Sequence, residues 1–165
     1  MINQLMAPMP IIFADDDILA NVNRFHVQPL HLTIFMKGYE IKRVLVDNGA
    51  SLNICPMKTM KQIGKSPDDF EPCQLTIIAY DGTKRHTEGI FPLTLKIDPT
   101  IQVIKFFVLD IKPSFNMLLS RPWLHENLVV ASTLHQCLNF QPKIALQRFV
   151  PTPLLFLILT HIMES

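Results

Sequence analysis

A chain of 165 residues is long enough for one domain with a buried core and short extensions at either end. Hydrophobic residues make up 48% of it and charged residues 18%, below the roughly 25% of an average soluble domain, and thirteen prolines accompany five glycines. This profile excludes a disordered chain and favours a β-rich one broken by turns over a bundle of long helices, while a net charge of +1 gives no dominant basic face for nucleic acid.

Residues 1–25 read as an irregular leader without a basic region followed by a long apolar core, so no secretory signal is expected. Asp15-Asp16-Asp17 within it reads as a solvated turn. The first regular pattern follows. Leu30, Leu32, Ile34 and Met36 alternate with His31, Thr33 and Phe35, and period two predicts a half-buried strand. Lys37-Gly38 supplies a tight turn. A second strand over Ile41 to Val46 ends in Val44-Leu45-Val46 and delivers Asp47 into a turn.

Pro56 opens a short helix whose Met57, Met60 and Ile63 line one face, and Gly64 ends it. Leu75 to Ile90 reads as a hairpin with Tyr80-Asp81-Gly82-Thr83 at its tip, because Asp-Gly favours a tight turn. Strands over Phe91 to Ile97 and Ile101 to Asp110 are joined at Asp98-Pro99-Thr100. Phe115 to Leu119 reads as a buried strand. Pro122 then opens a helix containing Trp123, Leu124 and Leu128, and Leu134 to Phe140 forms a last strand. Many short strands with turn signals predict a closed or sandwiched β fold. The C-terminal run Leu154 to Leu159 is far shorter than the ~20 residues that span a bilayer. No membrane association is expected from it, and 142–165 reads as an apolar tail, unstructured or non-native.

Cys55, Cys73 and Cys137 are odd in number, widely spaced and without a CxxC pair, which argues against a disulfide framework and against a zinc site. Free thiols fit a reducing, intracellular and cytoplasmic setting. Lys58, Lys61 and Lys65, like Lys84-Arg85-His86, read as solvated surface. The sequence holds no Gly-rich phosphate loop, no GxSxG elbow and no HExxH pair, although His125 and Glu126 adjoin. No cofactor and no metal is expected.

Val44-Leu45-Val46-Asp47-Asn48-Gly49-Ala50-Ser51 is the segment that carries chemistry. A carboxylate comes straight off an apolar strand, and glycine two residues later lets the backbone turn tightly beside it. Alone, this is also the pattern of a plain turn aspartate. The order of segments makes it more specific. Over residues 26 to 141 the chain resembles the retropepsins, the aspartic proteases of retroviruses and of plant long-terminal-repeat (gypsy-type) retrotransposon polyproteins. The resemblance runs from the hairpin beginning Pro29-Leu30-His31 through Val46 to Ala50 and the following Ser51-Leu52-Asn53-Ile54. It continues through a flap-like hairpin over Ile77 to Arg85, then Met117-Leu118-Leu119-Ser120-Arg121-Pro122-Trp123, and ends at Cys137-Leu138-Asn139-Phe140.

The resemblance implies a mainly β fold, a closed retropepsin-like acid-protease barrel half with a flap hairpin and one or two short helices. It implies an aspartic endopeptidase acting on extended peptides or polyprotein, with Asp47 as the catalytic residue. Aspartic proteolysis needs two carboxylates that share a proton, so the partner would be a second copy of the chain. Asn48, Gly49 and Ala50 would shape the active-site loop. Ile78, Ala79, Tyr80, Asp81 and Gly82 would form the flap over substrate, and Leu118, Leu119, Ser120 and Arg121 would support the loop from beneath. Two positions depart from the pattern: Asn48 stands where the family has Thr or Ser, and Ser120 where it has Gly. The other function left open is a retropepsin-fold module that binds peptide or dimerises without catalysis, a degenerate retrotransposon fragment.

Overall fold

The computed structural model describes residues 12–13, 28–79, 81–97, 100–140 and 147–149. Asp15-Asp16-Asp17, Tyr80, the Asp98-Pro99 joint and the apolar run Leu154 to Leu159 lie outside the described residues.

Strands β1 (His31–Met36) and β2 (Tyr39–Asp47) form the expected hairpin, with Met36 opposite Tyr39 and His31 opposite Leu45. Gly38 takes a φ of 80° in the turn, which an L side chain rarely adopts. Leu30, Leu32 and Ile34 are buried as the alternation predicts. The pairing shifts between Leu32 and Ile34: one residue of β1, Thr33, faces both Lys42 and Arg43 of β2, and Arg43 has a φ of 57°. This bulge changes the phase of the strand. Unbroken alternation from Ile41 would send Arg43, Leu45 and Asp47 toward the core. The extra residue sends Val44 and Val46 inward instead and turns Asp47 away from the core. Asn116 fastens the bulge, its side-chain amide donating to the Lys42 carbonyl at 2.7 Å and its backbone amide to the Arg43 carbonyl at 3.0 Å.

Four further strands complete the barrel. Strand β3 (Ile54–Pro56) runs into helix α1 (Met57–Gln62), with Pro56 just ahead of the first helical residue rather than within the helix. Met57, Met60 and Ile63 are buried and Gly64 ends the turn at φ 76°. A hairpin of β4 (Thr76–Ile78) and β5 (Lys84–His86) forms a two-stranded sheet of its own. It is shorter than the sequence predicts, because Gly89 and Ile90 already belong to β6 (Gly89–Ile97). Strand β6 pairs along its length with β7 (Thr100–Leu109), and β8 (Met117–Ser120) follows.

The barrel closes in the order β1-β2-β8-β3-β7-β6, with β6 returning to β1 at Phe35 and Lys96. Strands β2 and β8 are parallel, as are β3 and β7. Leu95, Phe106, Val108, Met117 and Leu119 are fully buried inside. Each such side chain contributes about 1.5–3 kcal/mol relative to exposure. Burial also pushes the Cys55 thiol up to about 12, so it packs as an apolar residue. No disulfide joins Cys55, Cys73 and Cys137.

Helix α2 (Arg121–Glu126) brings Trp123 edge-on to Phe140, with ring centroids 6.4 Å apart. Leu128 is not part of this helix: it sits at φ 51° and is 51% exposed. The chain then forms β9 (Val129–Ser132), which sequence periodicity did not reveal, and β10 (Cys137–Phe140), all four of whose residues are buried. The strand expected from Leu134 starts at Cys137 instead, because Thr133 to Gln136 turn the chain, with Gln136 at φ 49° and the His135 ring against the Ser132 hydroxyl at 2.7 Å. Strand β11 (Gln147–Phe149), beyond the span of the resemblance, pairs with the other edge of β10.

Candidate active site

Asp47 is the last residue of β2 and stands opposite Ser120 at the end of the parallel pair with β8. The barrel strand therefore fixes its backbone, and the bulge fixes the side from which its side chain emerges. Beyond it the chain reverses, the Ala50 amide reaching the Asp47 carbonyl at 3.3 Å. Within this turn the Gly49 amide donates to Asp47 Oδ1 at 2.8 Å. A Cβ at position 49 would lie 3.2 Å from that oxygen, a tight contact from which the carboxylate would have to shift by a few tenths of an ångström. Asp47 is half-buried, while Asn48 and Gly49 are exposed, so the turn opens outward.

The far end of the loop is held by Asn53. Its Oδ1 accepts from the Ser120 backbone amide at 2.9 Å and from the Ser120 hydroxyl at 2.8 Å. Its Nδ2 donates to the Lys105 carbonyl at 3.3 Å, and its own carbonyl accepts from the Phe107 amide at 2.9 Å. The Arg121 amide donates to the Ala50 carbonyl at 3.1 Å. Ser120 is fully buried, and its hydroxyl is satisfied by Asn53. Leu118 and Leu119 pack beneath, paired with Leu45 and Val46. Asp47, Gly49, Ala50, Ser120 and Arg121, predicted from sequence, thus meet in one place. Asn53 was missed. Its one sequence signal was a polar residue between Leu52 and Ile54, in a segment otherwise reading as apolar.

Of the residues expected to form a flap, Ile78 ends β4 and Ala79, Asp81 and Gly82 lie at the tip of the β4–β5 hairpin. The Ala79 amide donates to the Thr83 carbonyl at 2.8 Å, the Gly82 amide donates to the Ala79 carbonyl at 2.9 Å, and Gly82 has a φ of 79°. Asp81 Oδ1 accepts from the Thr83 hydroxyl at 2.7 Å and amide at 2.9 Å. These two bonds, the hydroxyl's first, hold the Asp81 carboxyl below its ordinary value. Ile78 is 66% exposed, an apolar side chain free to contact something beyond the hairpin. Among the described residues no group of three or more His, Cys, Asp or Glu side chains is placed to hold a metal ion. No helix among them is long and apolar enough to cross a membrane.

A mainly β chain with a closed six-stranded barrel, two short helices, and an aspartate at a strand end turned outward by a glycine loop has the retropepsin-like acid-protease fold. It is similar to the retroviral protease-like domain of Ddi1 from Leishmania major, with a TM-score of 0.54 and 15% identity over 74% of this chain and 95% of that one. Other similar structures are the EIAV protease complexed with an inhibitor (TM-score 0.48, 16% identity, 66% of this chain and 93% of that one) and a retropepsin-like aspartic protease from Rickettsia conorii (0.47, 18%, 62% and 75%). At such identities the likeness is one of fold. No protein-family model and no curated protein matches the sequence.

Proposed function

We propose that the chain is a retropepsin-like aspartic endopeptidase, working as a homodimer in which two copies of Asp47 face each other across a two-fold axis. The observation that carries this reading is the Asp47 carboxylate at the end of a barrel strand, held by the Gly49 amide in a loop open to the outside. Two carboxylates at such an axis cannot both ionise, so they share one proton. The ionised one takes a proton from a bound water, whose oxygen attacks the peptide carbonyl. The protonated one polarises that carbonyl and gives its proton toward the leaving amine. The protons titrate as a property of the pair.

In this reading residues 26–141 are the protease domain. The substrate lies extended between the loop and the flap, its backbone pairing with strand edges while Ile78, Ala79 and the Asp81-Gly82 turn cover it. The sequence resemblance makes a retrotransposon polyprotein the natural substrate, and three cysteines without a disulfide suit a cytoplasmic setting. The test is cleavage of a mixed peptide library at about pH 4–6, the range in which a carboxylate pair shares one proton. Asp47→Asn serves as the control and is expected to remove all cleavage while leaving the fold intact. Residual cleavage in that purified variant would end the role given to Asp47.

One observation favours a second reading. Asn48 is exposed on the rim of the loop where the resemblance implies a hydroxyl that bonds across the dimer. A module that binds peptide without cutting it would tolerate that change, and a folded dimer that binds library peptides and leaves them whole would establish it.

A further inference from the structure

We propose that Asn53 is a positioning residue for the Asp47 loop, acting through the buried Ser120 hydroxyl, so that positions 53 and 120 work as one matched pair. The inference rests on the reading of Asp47 as catalytic only for its effect on turnover. The coupling itself stands on geometry.

The loop leaves the barrel at Asp47 and rejoins it at Asn53, where β3 begins one residue later. At the first end, Asp47 is in register with Ser120. At the second, Asn53 Oδ1 receives both donors of that same Ser120. Between them the Ala50 carbonyl receives the amide of Arg121, the next residue along. The segment around Asp47 is thereby closed into a ring whose fixed point is the β8–α2 corner. Asn53 faces two donors on one side and the Lys105 carbonyl on the other. Two bonds accepted on one atom and a third donated from another suit a primary amide. A carboxylate would set its charge against the Lys105 carbonyl, and an aliphatic residue would leave the fully buried Ser120 hydroxyl unpaired. The dependence is mutual: glycine at position 120 would leave Oδ1 with one donor instead of two.

A residue that only stabilised the barrel would, when removed, loosen every strand alike. A positioning residue loosens the loop ahead of the rest. The experiment is a double-variant cycle with Ser120→Ala, Asn53→Ala and both together, read by amide hydrogen exchange in the whole chain. The probe is the Arg121 amide, and the control is the Ile104 amide on β7, whose residue pairs with Leu93 of the neighbouring strand β6. In Ser120→Ala, exchange at Arg121 is expected to rise roughly two- to twelvefold relative to Ile104, the range that one net hydrogen bond supplies. The double variant should be little faster than Asn53→Ala alone, because the two changes remove one shared interaction. Effects that multiply independently, or equal acceleration at Arg121 and Ile104, would overturn the proposal. Should Asn53→Ala fail to fold, Ser120→Ala decides alone, and unchanged exchange at Arg121 would refute the coupling. Where the wild-type chain cleaves peptide, Ser120→Ala should lower kcat with KM held. Where it cleaves none, the protease reading fails and the exchange cycle still decides the pair.

Discussion

The amide of Gly49 and the carboxylate of Asp47 are 2.8 Å apart, and a methyl group on residue 49 would lie 3.2 Å from the same oxygen. The glycine thus has two tasks, to donate to the carboxylate and to stay clear of it. Gly49→Ala crowds the oxygen and displaces the donor. Hydrogen bonds to charged groups contribute about 1.5–3 kcal/mol. On the proposed mechanism, steady-state kinetics of Gly49→Ala should therefore show kcat lower by about tenfold or more, with a melting temperature close to wild type because the turn is exposed.

Gly89 is constrained by space and by backbone together. It has a φ of 150°, and an added Cβ would meet the Phe70 Cβ at 2.6 Å and the Glu71 carbonyl at 2.8 Å. Glu71 and Ile90 exchange backbone bonds at 2.8 and 2.9 Å, so this contact cannot slide. Gly89→Ala should destabilise the fold by about 1–3 kcal/mol, the range for overpacking a close contact. Urea unfolding followed by tryptophan fluorescence measures it through the buried Trp123.

What the sequence made legible follows from length and period. Strand β1 was readable because Leu30, Leu32 and Ile34 alternate with half-buried neighbours over a full strand. The flap turn was readable because Asp81-Gly82 demands it. Strands β3 and β11 have three residues each, too few to show a period. Strand β9 lies between Leu128 and Gln136, both in left-handed backbone conformations that neither residue type advertises. The bulge was hidden because Lys42 and Arg43 are both exposed and polar, which reads as ordinary surface. At the site, Asp47 and Gly49 were singled out by a local pattern set in a recognisable order of segments. Asn53 was not, because its partner Ser120 lies 67 residues away.

Strong acid should release the tip of the β4–β5 hairpin. The Thr83 hydroxyl and amide hold the Asp81 carboxyl below its ordinary value, so its folded pKa is depressed. The stabilisation is then fully present above the ordinary carboxylate range and is lost as pH falls through the lowered folded value. Across the range of about pH 4–6 chosen for cleavage, the turn stays held. The Thr83 amide, followed by hydrogen exchange against pH, should lose protection only below that range. In Asp81→Ala it should lack protection at every pH.

The central claim is that two Asp47 carboxylates, one from each copy, act on one peptide bond. A tandem dimer, two copies of the chain joined by a flexible linker, tests it most directly when exactly one copy carries Asp47→Asn. A single substituted copy is expected to remove turnover as completely as two, while dimer and fold persist. Retention of about half the activity of the unsubstituted tandem would mean that each chain cuts by itself, and would contradict that claim.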